Sequence, residues 1–81
     1  MDRAQILVQL SAIMQEVLDD PSVELTSATT ADDVDGWDSL SNITFFVEVE
    51  RRFGIKFKTA EIEEIHNVGD MVDMIVGKQA A

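Results

Sequence analysis

Between Asp38 and Gly54 the chain concentrates its densest run of large apolar side chains, Leu40, Ile43, Phe45, Phe46, Val47, Val49 and Phe53, and this run limits the folds open to it. On a helical wheel they cover more than half of the circumference, a wider arc than a helix packed on one side needs. The pattern predicts a central helix that starts just after Asp38, whose carboxylate can cap free backbone N–H groups, and stops at Gly54, a natural left-handed terminus. Ser41, Thr44, Glu48, Arg51 and Arg52 share the remaining arc and are expected to face water, where a partner would meet them.

The rest of the chain supplies partners for that helix. Ile6, Leu10, Ile13, Met14 and Val17 recur at helical spacing and predict a first helix over roughly Arg3 to Leu18, capped by Asp2 and ended by Asp19, Asp20 and Pro21. From Ser22 to Trp37 the sequence is rich in Ser, Thr and Asp, which suits a structured loop held by local side-chain hydrogen bonds. Loops of that length are often functional. Ile55-Lys56-Phe57-Lys58 alternates as a strand does, but an isolated strand has nothing to pair with, so an extended connector is expected. A short helical turn from about Ala60 to Ile65 and a last helix opened by Asn67 and Asp70 follow, with Val68, Met71, Val72, Ile75 and Val76 as its apolar stripe. The expected fold is all-α, a small bundle of three main helices plus one short helix in a single domain over 1–81.

Composition narrows the function. With 81 residues, one modest core is expected, burying about 60 to 65 percent of the unfolded surface. Cysteine is absent, which removes disulfides, thiolate metal sites and a protein-borne thiol nucleophile. A formal charge of −10 repels phosphate backbones and anionic headgroups, so neither nucleic acid nor a membrane surface is an expected partner. No basic leader followed by a long apolar run opens the sequence, and a cytoplasmic protein is expected. Lys and Arg are missing from Ala4 to Glu50 and then cluster as Arg51, Arg52, Lys56 and Lys58, leaving an acidic face that suits basic partners.

Chemistry is expected where the loop meets the central helix, in Asp35-Gly36-Trp37-Asp38-Ser39-Leu40. A Ser in the first helical turn places its hydroxyl beside unsatisfied N–H groups and the positive end of the helix dipole, a setting that tolerates a phosphate. Taken alone, a Ser beside an N-cap is more often only part of the cap.

Gly36-Trp37-Asp38-Ser39-Leu40, followed by an apolar helix ending Glu48-Val49-Glu50-Arg51-Arg52-Phe53-Gly54-Ile55, a short third helix and Asn67-Val68-Gly69-Asp70, resembles the acyl carrier protein family over nearly the whole chain. The resemblance implies that Ser39 receives 4′-phosphopantetheine from coenzyme A and that the arm's thiol carries an acyl group as a thioester. It implies that Asp38 and Leu40 are read by the phosphopantetheinyl transferase. Phe46, Val47, Ile65 and Met71 would line a cleft that shelters the acyl chain, although periodicity alone reads them equally well as core. Ser41, Thr44, Glu48 and Arg51 would form the docking face for acyl-loading and acyl-transferring enzymes and ketosynthases. A monomeric, non-catalytic carrier is implied.

Family members that serve fatty acid synthesis usually have acidic residues two and five positions after the modified serine, where this chain has Ser41 and Thr44. That departure points to a specialised pathway: polyketide assembly, a modified lipid, or aminoacyl carriage. Calcium binding is the competing expectation, because Asp33, Asp35 and Gly36 match part of an EF-hand loop, but Ala31 and Asn42 fall where ligands should be. An unmodified acidic bundle that docks onto a basic partner is a further alternative. A hydrolase would need a base for Ser39, and the single histidine, His66, lies between two helices where an exposed or capping role is expected.

Overall fold

The computed structural model describes residues 2–80, and among them the ordered elements are all helical. They are α1 (Arg3–Leu18), α2 (Ser39–Phe53), α3 (Thr59–Glu64) and α4 (Val68–Ala80), with a single 3-10 turn at Ala31–Asp33 in the long loop. Asp2 caps α1 through the Gln5 N–H, and the Gln5 side chain returns a bond to the Asp2 N–H, closing a capping box. Gly54 ends α2 with φ +66°, the left-handed conformation that costs glycine little. The short third helix starts one residue earlier than the spacing suggested, and Ile55–Lys58 runs extended without pairing.

α1 packs against both α2 and α4. Ile6, Leu10, Ile13 and Met14 of α1 meet Phe45, Phe46 and Val49 of α2 and Val68, Met71, Val72 and Ile75 of α4 in one buried cluster. Val17, expected in the stripe, is only half-buried. The long loop adds Val23 and Leu25 to the core because its backbone is tied along α1: Ser11 Oγ accepts the Leu25 N–H at 3.0 Å and Gln15 Nε2 donates to the Val23 carbonyl at 2.8 Å. A loop so bonded can bury apolar side chains without leaving its polar backbone unsatisfied.

Four of the five aromatic rings form a line of edge-to-face contacts: Trp37 on Phe45 at 5.5 Å, Phe45 on Phe46 at 6.2 Å, and Phe46 on Phe57 at 5.3 Å. This line runs from the end of the loop to the connector after α2, so it holds both flanks of that helix. The connector is also fixed by Glu50 Oε2, which accepts the Phe57 N–H at 2.7 Å. Lys78 Nζ bonds both Glu61 oxygens at 2.9 and 3.0 Å and sits 5.7 Å from the Phe57 ring centre, which joins α3 to the end of α4.

The central helix is not buried over most of its circumference. Leu40, Ile43 and Val47 are 75, 63 and 53 percent exposed, so α2 is packed on one side and turns its surplus apolar residues to water. Hydrophobic residues predict burial only statistically, and a helical wheel does not record which arc meets a neighbour.

The N-terminus of α4 borrows acceptors from the loop: Val68 N–H donates to the Thr29 carbonyl at 2.9 Å and Gly69 N–H to the Ser27 carbonyl at 2.8 Å. A Cβ on Gly69 would lie 2.8 Å from that Ser27 carbonyl oxygen, whereas a Cβ on Gly77 meets nothing within 4 Å. Gly69→Ala is therefore expected to cost about 1–3 kcal/mol through forced displacement of the loop. Gly77→Ala should instead be stabilising by up to about 1 kcal/mol from helix propensity. Chemical denaturation of the two variants checks the opposite signs.

Candidate functional site

Ser39 is the first residue of α2 and is exposed. Three features set its position. Gly36, at φ +88°, turns the chain in the left-handed region that disfavours other residues. Trp37 anchors the turn by packing on Phe45, by donating its backbone N–H to the Val34 carbonyl at 3.2 Å, and by donating its indole N–H to Asn42 Oδ1 at 2.9 Å. Asp38 then caps the helix, accepting the Ser41 N–H at 2.9 Å.

Ser41 completes that cap. Its hydroxyl oxygen accepts the Asp38 N–H at 2.8 Å, and its one proton is shared between the Gly36 carbonyl at 2.7 Å and Asp38 Oδ1 at 3.1 Å, so Ser41 is the second half of a capping box. Ser41 is half-buried, at the edge of the water-facing strip on which it was expected. The Ser41 N–H first, then its hydroxyl, hold the Asp38 carboxyl below the usual carboxylate range. The arrangement also corrects the expectation that the helix N–H groups are open to a phosphate. The Asp38 carboxylate already takes the Ser41 N–H and, more weakly, that of Leu40.

The structure fits an attached 4′-phosphopantetheine in the features that matter for attachment: an exposed hydroxyl, a rigid turn before it, and a cleft of mixed lining on the same helix. The cleft has a volume of about 100 Å³ and lies between α2, α3 and the start of α4. Trp37, Asn42 and Phe46 form one wall, Ile62, Ile65 and His66 the opposite wall, and Thr29, Thr30, Asn67, Val68 and Met71 complete it. Phe46, Ile65 and Met71 are thus brought together as expected for cleft-lining residues. Val47 is not; it follows Phe46 by 100° around the helix and faces solvent. Trp37 and Asn42 were missed because the wheel gave them no apolar face to share; the Trp beside the Gly36 turn was the available signal.

The expected docking residues separate similarly. Thr44 and Arg51 lie on the exposed arc with Leu40, Ile43 and Val47. Glu48 is partly buried and bonded by the Arg51 guanidinium at 2.6 Å, and this hydrogen bond is the main cause of its lowered pKa. Arg52 turns away from the arc to pair with Glu16 of α1. His66 is exposed, and its backbone N–H donates to Asp70 Oδ2 at 3.0 Å, while Asn67 Oδ1 accepts the Asp70 N–H at 2.8 Å. Among the described residues, no three or more His, Cys, Asp or Glu side chains gather where a metal could bind, and the Asp33 carboxylate of the EF-hand-like stretch accepts the Thr30 N–H at 2.9 Å. No helix among the described residues is long and apolar enough to cross a membrane.

A helical bundle that presents a serine at the head of its second helix, with a small cleft between that helix and the two that follow, is the architecture of carrier domains. The family model for the phosphopantetheine attachment site matches residues 8–75. The chain is 38% identical to the acyl carrier protein of Micrococcus luteus over 96% of both chains. It is 33% identical to that of Tropheryma whipplei (strain Twist), over 99% of this chain and 98% of the other. The solution NMR structure of holo acyl carrier protein from Geobacter metallireducens superposes with a TM-score of 0.85 at 42% identity, covering 91% of this chain and 85% of that one. The chain belongs to the acyl carrier protein family, whose cofactor is 4′-phosphopantetheine.

Because the Asp38 pKa is lowered in the folded state, its charge contributes stability above the unfolded value, near pH 4, which is lost as pH falls through the folded value. Asparagine also caps well but carries no charge. Wild type is expected to melt above Asp38→Asn at pH 6 and to lose that margin below about pH 4, which thermal circular dichroism at both pH values would detect.

Proposed function

We propose that the chain is a single carrier domain that takes its phosphopantetheine arm on Ser39 and delivers acyl thioesters to partner enzymes without making bonds itself. The observation that carries this reading is the exposed Ser39 hydroxyl at the first position of α2, held there by the Gly36 turn, the Trp37 anchor and the Asp38–Ser41 capping box. The arm supplies the thiol that a chain without cysteine lacks. Ser39 contributes the attacking oxygen during loading, Asp38 and Leu40 present it to the transferase, and the cleft walls take the acyl group between encounters. Tethering raises the effective concentration of cargo at a docked enzyme.

Docking falls to the exposed arc of α2. Leu40, Ile43 and Val47 give it an apolar centre, with Thr44 and Arg51 alongside. An apolar centre buried against a partner supplies affinity, and the near absence of acidic side chains on that arc favours enzymes whose docking surface is not strongly basic. This supports service in a specialised pathway over housekeeping fatty acid synthesis.

Incubation with a phosphopantetheinyl transferase and coenzyme A is expected to add one arm to the wild type and none to Ser39→Ala, read by intact mass. An unmodified wild type on well-folded material would sink the carrier reading. Val47→Asp should lower kcat/KM for that loading, or for transfer to a partner, by about tenfold. Its melting temperature should hardly move, since Val47 already faces water.

A further inference from the structure

Two sets of bonds hold the turn in front of Ser39, and they differ in their exposure to water. The contacts between Asp38 and Ser41, and from the Ser41 hydroxyl to the Gly36 carbonyl, are exposed, so water can take the place of either partner when they open. The bond from the Trp37 indole N–H to Asn42 Oδ1, at 2.9 Å, is part-buried, beside a Trp37 ring that packs edge-on to Phe45 at 5.5 Å. Its donor and acceptor have less water to turn to, so this bond resists opening more than the exposed ones do. An indole N–H is only a donor, and position 42 therefore has to supply an acceptor.

Asn42 bonds the chain on the N-terminal side of Ser39 twice. Its backbone N–H donates to the Asp38 carbonyl at 2.9 Å, and its side chain accepts from Trp37. Any residue but proline makes the first of these bonds in a helix. The second depends on the side chain, and it joins the end of the long loop to the first turns of α2. Ser39 lies between the two joined points, three positions before Asn42.

We propose that Asn42 is a positioning residue for the loading of Ser39: as the acceptor for Trp37 it makes the turn over Gly36 to Asp38 move as one body with α2, and so fixes the direction in which the serine hydroxyl is offered. The proposal rests on the carrier reading and adds to it a residue that takes no part in the bond change. In that change Ser39 Oγ bonds to the pantetheine-bearing phosphorus of coenzyme A, the pyrophosphate bridge breaks, 3′,5′-adenosine bisphosphate leaves, and the serine proton passes to a base of the transferase. A misdirected hydroxyl slows this step, because reacting atoms have to meet to within a fraction of an ångström. Ile43 and Val47, further along the exposed arc, still meet the enzyme. The signature is thus a loss in kcat with KM held.

The test loads the intact chain with coenzyme A and a phosphopantetheinyl transferase, followed by intact mass. Asn42→Leu, close in size and without an acceptor, is expected to lower kcat about tenfold while KM stays within about twofold. Asn42→Asp keeps an acceptor oxygen for Trp37 and should restore loading to near the wild-type rate. Trp37→Phe keeps an aromatic ring for Phe45 but removes the donor, and should lose as much as Asn42→Leu. The double variant should lose no more than either single one, since both remove the same bond. Circular dichroism at the assay temperature confirms that each variant compared is folded, so a smaller folded fraction does not account for the loss. Should Asn42→Leu fail to fold, Trp37→Phe and Asn42→Asp decide the matter alone. Wild-type kcat in a folded variant that lacks the donor or the acceptor, an Asn42→Asp rate as low as that of the Trp37→Phe variant, or losses that multiply in the double variant would each overturn the proposal while the carrier reading stands. Failure of folded wild type to load at all would overturn both.

Discussion

The rotation of α2 about its own axis governs this molecule, and the burial of Phe45 against Trp37 and Phe46 sets that rotation. Phe45 is fully buried, and its ring meets α1's apolar stripe in the same cluster as Val49 and Met14. Once that side of the helix is committed to the core, Leu40, Ile43 and Val47 have to face water, and Asn42 and Phe46 have to edge the cleft. The exposed apolar arc and the cleft are thus two consequences of one packing decision.

The same ring pair controls the chemistry at the helix head. Trp37 reaches Phe45 from the loop side and Asn42 from the helix side, so the turn carrying Gly36 and Asp38 cannot swing independently of α2. The capping box between Asp38 and Ser41 then uses the backbone donors that a free helix end would offer to an anion. Ser39 is left exposed at the first position of a capped helix end.

Helix bounds and caps were legible in the sequence to within a residue or so, because capping is local. Asp2, Asp38 and Gly54 act on groups three or four positions away, and their side chains or φ angles suffice to mark an end. The family likeness was legible for the same reason, since it lies in ordered short motifs. The assignment of α2's faces was not. A wheel that is apolar over more than half its circumference does not say which part meets α1, and a soluble protein can leave large aliphatic residues on its surface. The partners of Ser41 and Arg52, in Asp38 and in Glu16, were not legible either, because wheel position does not reveal them.

The amino-acid sequence by itself determined where the first two main helices begin and end and where the last begins, that the interior would be apolar and free of disulfides, and that one serine stands at the head of the densest helix. These follow from interactions between residues a few positions apart and from composition. Only the tertiary structure decided that Leu40, Ile43 and Val47 are surface, that Thr29 and Ser27 supply the carbonyls that start α4, and that Trp37 and Asn42 frame a cleft with Ile65 and Met71. Those pairings join residues tens of positions apart, and they are selected by how whole helices pack together, a choice that no local pattern records.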